Sequence, residues 1–201
     1  SYISRSFSAR LILLGKWNYQ FMLPVQNPSG YPSNDFGIPW GDQAGKDGMY
    51  SFDMQYVEYY NLPALLDIIE NSGEKAEIDP DYRNFVYENY LSVPDEHREM
   101  FSRLAYRAGI DGMTGFRLIR SVADYIRTSA DYSEFYSYPA DADPIIWFMM
   151  HEKAGICDHF ASSAVLMYRT LGIPARRVTG YKVDAEAGIE NEVVPDYGHA
   201  W

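Results

Sequence analysis

The chain has 201 residues, 47% of them hydrophobic and 16% aromatic, with 18 tyrosines and a formal net charge of -11. So acidic a surface repels polyphosphates and argues against nucleic acid as a partner, and it offers nothing to hold anionic lipid; a solvated acidic face is its ordinary use. One cysteine, Cys157, makes neither an internal disulfide nor a cysteine-rich zinc site, so the redox compartment stays open.

No apolar run approaches the roughly 20 residues of a membrane span. The run 'ARLILLG' is far too short, and Arg5 and Arg10 lack the apolar core of a signal peptide. A start at Ser1 without methionine reads as a processed or excised fragment. The first sixty residues read as β-rich: 'SARLILL' and 'WNYQFML' are short apolar runs split by Gly15 and Lys16. A long irregular loop dense in Pro, Gly, Asn and Asp follows. 'YSFDMQYVEYY' then alternates at Phe52, Met54 and Tyr56, as a half-buried strand does. Residues 1–60 are therefore expected to form a small β unit, and 61–201 a helical region with the core that carries the chemistry.

From Asn61 the period turns helical. 'NLPALLDIIENSG' has Pro63 near its start and Gly73 past its end. 'DPDYRNFVYENYL' opens with Asp79 as N-cap and Pro80 at the first helical position, and Tyr82, Phe85, Val86 and Tyr90 follow at helical spacing. 'PDEHREMFSRLAYRAG' carries acids in its first turn, ends at Gly109, and predicts one face of Met100, Phe101, Leu104, Ala105 and Ala108. 'TGFRLIRSVADYIRTS' predicts another of Phe116, Ile119, Val122, Ala123 and Ile126. Such stripes are the mark of core. 'ADYSEFYSYPADADP' breaks the pattern; its tyrosines either line a groove or bury their rings with hydroxyls at the surface. Asp143 and Pro144 then start a helix, 'IIWFMMHEK', that stops before Gly155.

After Gly155 the positions Cys157, Phe160, Ala161, Ala164, Tyr168 and Leu171 share one side of a helix. Gly172 stands where a left-handed residue is wanted, and Pro174 prevents continuation. Cys157 thus falls in or just before the first turn. Unpaired N–H groups and the positive end of the macrodipole favour an anion there, and the thiolate is the reactive form of cysteine. The same N–H groups can serve an oxyanion. Gly155 allows close backbone approach. The residue pattern alone leaves a second reading open, a small buried hydrophobe.

Four segments together resemble the transglutaminase-like superfamily of papain-like cysteine enzymes, nearest to a bacterial group that carries this domain outside a membrane-spanning segment. 'AGICDHFASSAVLMYRTLGIPARRVTGY' is similar to the family's nucleophile helix and the turn and strand after it, 'GHAW' to its histidine motif, 'DPIIWFMMHEK' to the helix before the nucleophile, and 'YENYLSVPDEH' to the start of the helical part. The resemblance covers about residues 81–201. It implies an α+β fold: a papain-like transglutaminase core, with the nucleophile helix packed on an antiparallel sheet that carries His199. Helices and the β-rich N-terminal unit precede that core.

By the same resemblance Cys157 is the nucleophile and His199 its base, 42 positions later. Gly155 and Asp158 support the oxyanion and its backbone, and Tyr181 and Trp201 are candidates to line the cleft. The family's third residue, an acid on the strand after the histidine, has no counterpart before the chain stops at Trp201, so the C-terminal strands are expected to be missing. His159 beside the thiol reads as structural, and His151 and Glu152 as the surface end of the preceding helix. One of Arg176 and Arg177 should make an ion pair. Four histidines with no paired spacing argue against zinc, and no cofactor is implied. The implied chemistry is attack on a glutamine or peptide amide through a thioester. A cysteine protease or amidase of extracellular or cell-wall peptides and a non-catalytic binding module remain the alternatives. The implied partner is a protein or peptide. The implied place is extracytoplasmic or at the cell surface, with any membrane contact through a segment outside this chain.

Overall fold

A computed structural model of the chain describes residues 4–12, 49–57, 71, 80–178, 180–181 and 199–200. Two compact units divide at Glu77 and Ile78. In the first, strands β1 (Ser4–Ile12) and β2 (Met49–Val57) pair antiparallel, from Ser4 opposite Val57 to Ile12 opposite Met49. That register sets Phe7, Ala9 and Leu11 against Met54, Phe52 and Tyr50, so the alternation of the two strands runs in phase. The expected strand 'WNYQFML', the Pro/Gly-rich loop and the helix after Asn61 lie outside the described residues, apart from a helical Asn71.

The second unit is built from helices. Helix α1 (Pro80–Asn89) starts on its proline as expected, but it buries no residue. Phe85, Val86 and Tyr90 are half-buried, and Tyr82 is exposed. The expected core stripe is therefore a flank, with Tyr90 set edge-on to Phe85 at 5.8 Å. Helix α2 (Asp95–Arg107) carries Asp95 and Glu96 in its first turn and buries Met100, Phe101, Leu104 and Ala105, with His97 added and Ala108 left exposed. It ends at Gly109 with φ +67, a conformation that glycine adopts without strain.

Helix α3 (Gly115–Thr128) buries Val122 and Ile126 of the expected face, but its inward line is rotated to take in Leu118. Leu118, Val122 and Ile126 are buried, whereas Ile119 and Ala123 are exposed and Phe116 is half-buried. The sequence holds two overlapping stripes, each with helical spacing, and packing against the other helices selects one.

Asp143 caps helix α4 (Pro144–Trp147), its Oδ1 accepting the N–H groups of Ile145 and Ile146 at 2.9 Å each. The helix then widens into a π-helical turn, Phe148–Glu152, which sinks Phe148 and Met149 fully into the core. Lys153, at φ 56, closes that turn. Helix α5 (Cys157–Thr170) follows, and Phe101, Phe148, Met149, Met167 and Val122 are the largest fully buried apolar side chains of the core around it. Its innermost line is Cys157, His159, Ser163 and Met167; Phe160, Ala164 and Leu171 of the expected stripe are half-buried and pack beside the core. No residue of α5 is exposed, so the helix is clasped on more than one side.

The strand arrangement also corrects the sequence reading. The strand that leads into the Cys157 helix, β4 (Ala154–Gly155), pairs in parallel with β3 (Asp131–Tyr132), not antiparallel. Each follows the end of a helical segment and leaves it in the same direction. The N–H of Asp131 donates to Lys153 and that of Ser133 to Gly155, both at 2.9 Å. An antiparallel pair does carry His199: β5 (Gly180–Tyr181) and β6 (His199–Ala200), with Tyr181 opposite His199. How α5 packs on a larger sheet lies outside the described residues.

Candidate active site

The site grows from the start of α5. Ile156 is the N-cap and Cys157 the first helical residue, so the Cys157 N–H is among those with no carbonyl partner inside the helix. Cys157 is a free thiol, 7% exposed. Directly before it, Gly155 is buried where no side chain fits: a Cβ would stand 3.0 Å from His159 Nδ1 and 3.0 Å from Phe148 Cδ2. The glycine expected to allow close backbone approach thus makes room first for an imidazole and a phenyl ring.

Asp158 has a structural partner. Its carboxylate pairs with the Arg177 guanidinium, both side chains about half exposed, which ties the first turn of the helix to the segment after it. That segment is docked a second time. Arg169 donates from Nε to the Ala175 carbonyl at 2.7 Å and from its guanidinium to the Ser92 carbonyl at 3.1 Å, while the Ala175 N–H donates to Tyr90. The turn after the helix is therefore fixed on the α1–α2 connection before the chain enters β5. His159, read as structural, is buried and hydrogen-bonds the main chain of Ile156. His151 is exposed and stacks on Trp147 at 4.5 Å.

The sequence reading missed Tyr132. The β3–β4 pairing sets it opposite Gly155, and its ring stacks on Phe160, one turn below Cys157, at 6.4 Å. Its phenol is held above the ordinary 10.0, first by loss of hydration, then by the charge and a hydrogen bond of the Cys157 sulfur and by Glu134. A hydrogen bond with the Cys157 main chain acts in the opposite sense. Tyr132 is 62% exposed, so the sulfur is what sets this tyrosine apart from the others. No periodicity could have found it, because a two-residue parallel bridge leaves none.

The backbone gives His199 one defined neighbour, Tyr181, on the strand the chain enters after leaving α5. The side chains of His199, Tyr181 and Trp201 lie outside the described residues. Among the described residues no group of three His, Cys, Asp or Glu stands close enough to hold a metal ion, and no helix is long and apolar enough to cross a membrane.

The sequence model of the transglutaminase-like superfamily matches residues 104–201. The uncharacterized protein YebA of Bacillus subtilis is 31% identical over 157 residues, which cover 73% of this chain and 21% of YebA. The chain thus spans about a fifth of that relative's length. The periplasmic domain of TgpA from Pseudomonas aeruginosa, solved with ethylmercury bound, aligns with a TM-score of 0.47 at 19% identity, over 75% of this chain and 46% of the other. The superfamily match runs from the end of α2 through the Cys157 helix to the strand of His199, and over residues 104–201 the chain belongs to the transglutaminase-like superfamily.

Proposed function

We propose that the chain carries the acyl-transfer centre of a thiol enzyme acting on amide carbonyls of proteins or peptides. The observation that supports it most is the seat of Cys157: the first residue of a helix, with its N–H outside the helical ladder. A free thiol is mostly protonated near neutral pH, so a base must take its proton. His199 is the residue assigned to that role, and the β5–β6 pairing, which returns its strand to the segment leaving the Cys157 helix, favours the assignment.

In this reading the Cys157 sulfur attacks the carbonyl carbon of a glutamine side chain or peptide bond, and the charge that develops on oxygen is met by first-turn N–H groups, that of Cys157 among them. The C–N bond breaks as the imidazolium of His199 gives its proton to the leaving amine. The resulting thioester passes its acyl group to a primary amine or to water. Gly155 and Asp158 act on the backbone, the first by leaving room for His159 and the second by pairing with Arg177. The substrate is a protein or peptide and not a nucleic acid, given the charge of -11. The family resemblance suggests an extracytoplasmic setting.

The test is mass spectrometry of a glutamine-containing peptide incubated with the protein and a primary amine. Amine incorporation identifies transfer; deamidation or cleavage identifies water as the acceptor. Cys157→Ala should abolish both while changing stability by no more than about 1–2 kcal/mol. Unchanged turnover in that variant would remove the nucleophile.

A further inference from the structure

Near the helix start, three polar contacts stand outside this chemistry. The pair of Asp143 with His97 caps a helix, and the pair of Asp158 with Arg177 is exposed. The third belongs to His159, which is 8% exposed and built into the approach to Cys157.

Ile156 occupies the N-cap and has no side-chain oxygen to offer the first turn. His159, three residues on, closes the turn from the other side. Its Nδ1 accepts the Ile156 N–H at 3.3 Å, and its own N–H donates to the Ile156 carbonyl at 2.8 Å. Two hydrogen bonds thus form a ring across the residue directly before the nucleophile. Glutamate or glutamine usually makes the return bond of a capping box. Here that place is enclosed by rings: Tyr136 stands edge-on at 4.7 Å, and Phe148, 1% exposed, lies tilted at 5.4 Å. A carboxylate there would be costly to bury, whereas a flat aromatic acceptor fits. Gly155 completes the fit, since a Cβ would press on the same Nδ1.

We propose that His159 is a positioning residue for Cys157: by accepting the Ile156 N–H at Nδ1 it fixes the main chain that aims the thiol and the Cys157 N–H. The role rests on the reading of Cys157 as the nucleophile. It requires the uncharged imidazole with its proton on Nε2, because an imidazolium has no lone pair at Nδ1.

Three variants of the protein separate this role from simple packing. His159→Asn sets an amide oxygen near the place of Nδ1, His159→Phe keeps a ring and removes the acceptor, and Gly155→Ala leaves the imidazole but crowds it. The readouts are amide hydrogen exchange at Ile156 and the pH profile of Cys157 alkylation by iodoacetamide, in samples whose near-ultraviolet circular dichroism matches the native protein.

His159→Phe and Gly155→Ala should exchange the Ile156 amide about tenfold faster, as loss of one hydrogen bond allows. Their alkylation midpoint should move up by about half a pH unit, within what a well-aimed helix N-terminus is worth to an anion. His159→Asn should stay near the native protein in both. Native exchange in His159→Phe and Gly155→Ala overturns the proposal, as does faster exchange with an unmoved midpoint, which would make the bond structural only. If His159→Phe does not fold, Gly155→Ala against His159→Asn decides in the same terms. Should native Cys157 react no faster than free cysteine while Ile156 exchange responds as expected, the proposed function falls and the hold of His159 on this main chain stands.

Discussion

Asp143 offers the sharpest test of which acid–histidine pair belongs to the fold. One carboxylate oxygen takes three contacts: the N–H groups of Ile145 and Ile146 at 2.9 Å and His97 Nε2 at 3.1 Å. Asp143→Ala removes the helix cap, worth about 1 kcal/mol. It also leaves His97 Nε2 without its partner, beside an Nδ1 that already has none among the described residues. Losing the partner of a buried polar group costs about 1–3 kcal/mol, and the lower half of that range applies because the Asp143 side chain is 37% exposed. The expected loss is about 2–3 kcal/mol, or about 6–12 °C in Tm for a unit of this size. Thermal and urea unfolding of Asp143→Ala, His97→Leu and the double variant measures it, with a coupling of about 1 kcal/mol between the two sites. Asp143→Asn should retain part of the cap. A loss under about 0.5 kcal/mol, or strict additivity in the double variant, would refute the accounting. Cys157 alkylation in folded Asp143→Ala should match the native rate. If it fell away, Asp143 would belong to the site and not to the scaffold.

Three smaller outcomes follow from the same structure. Tyr132→Phe should remove, from a difference absorbance titration, a phenol that ionises above 10.0; because the folded value is raised, the stability it contributes is present below that pH and is lost as pH rises through the folded value. A midpoint at or below 10.0 would mean that the hydroxyl does not face the sulfur. Ser163 is fully buried, and its hydroxyl has no partner among the described residues; Ser163→Ala should be neutral or stabilise by up to about 1 kcal/mol, and a clear loss in chemical denaturation would reveal a bond. Arg177→Gln breaks an ion pair between half-exposed groups and should change stability by less than about 0.5 kcal/mol, a difference that shrinks as salt is raised.

What could be read in the sequence was punctuation. Pro80, Gly109, Asp143, Gly155 and Gly172 each mark a helix end by a local rule, and the structure uses each of them near such an end. What could not be read was which of two stripes faces inward. Leu118 and Ile119 are adjacent and both apolar, so the spacing admits either, and only packing into the shared core of the helices makes Leu118 the buried one. The line of His159, Ser163 and Met167 was hidden for another reason: two of its three members are polar, and they are buried because the helix is surrounded. The π-helical turn and the β3–β4 bridge depend on where two helical segments end, which no local pattern encodes. For the site, Cys157 and Gly155 stood out by position, whereas Tyr132 came only with the pairing of strands more than twenty residues apart.

That pairing bears on how a nearly buried thiol meets a substrate. A sulfur open to bulk water would lose most acyl groups to hydrolysis, and one enclosed in hydrocarbon would meet no amide. Cys157 lies between these conditions: it is 7% exposed and heads a helix whose first N–H groups have no carbonyl partner in the helix. Tyr132, paired with Gly155 just before that thiol, is 62% exposed and carried on a two-residue strand. On the proposed function, the β3–β4 pairing sets Tyr132 beside the segment that leads into the nucleophile.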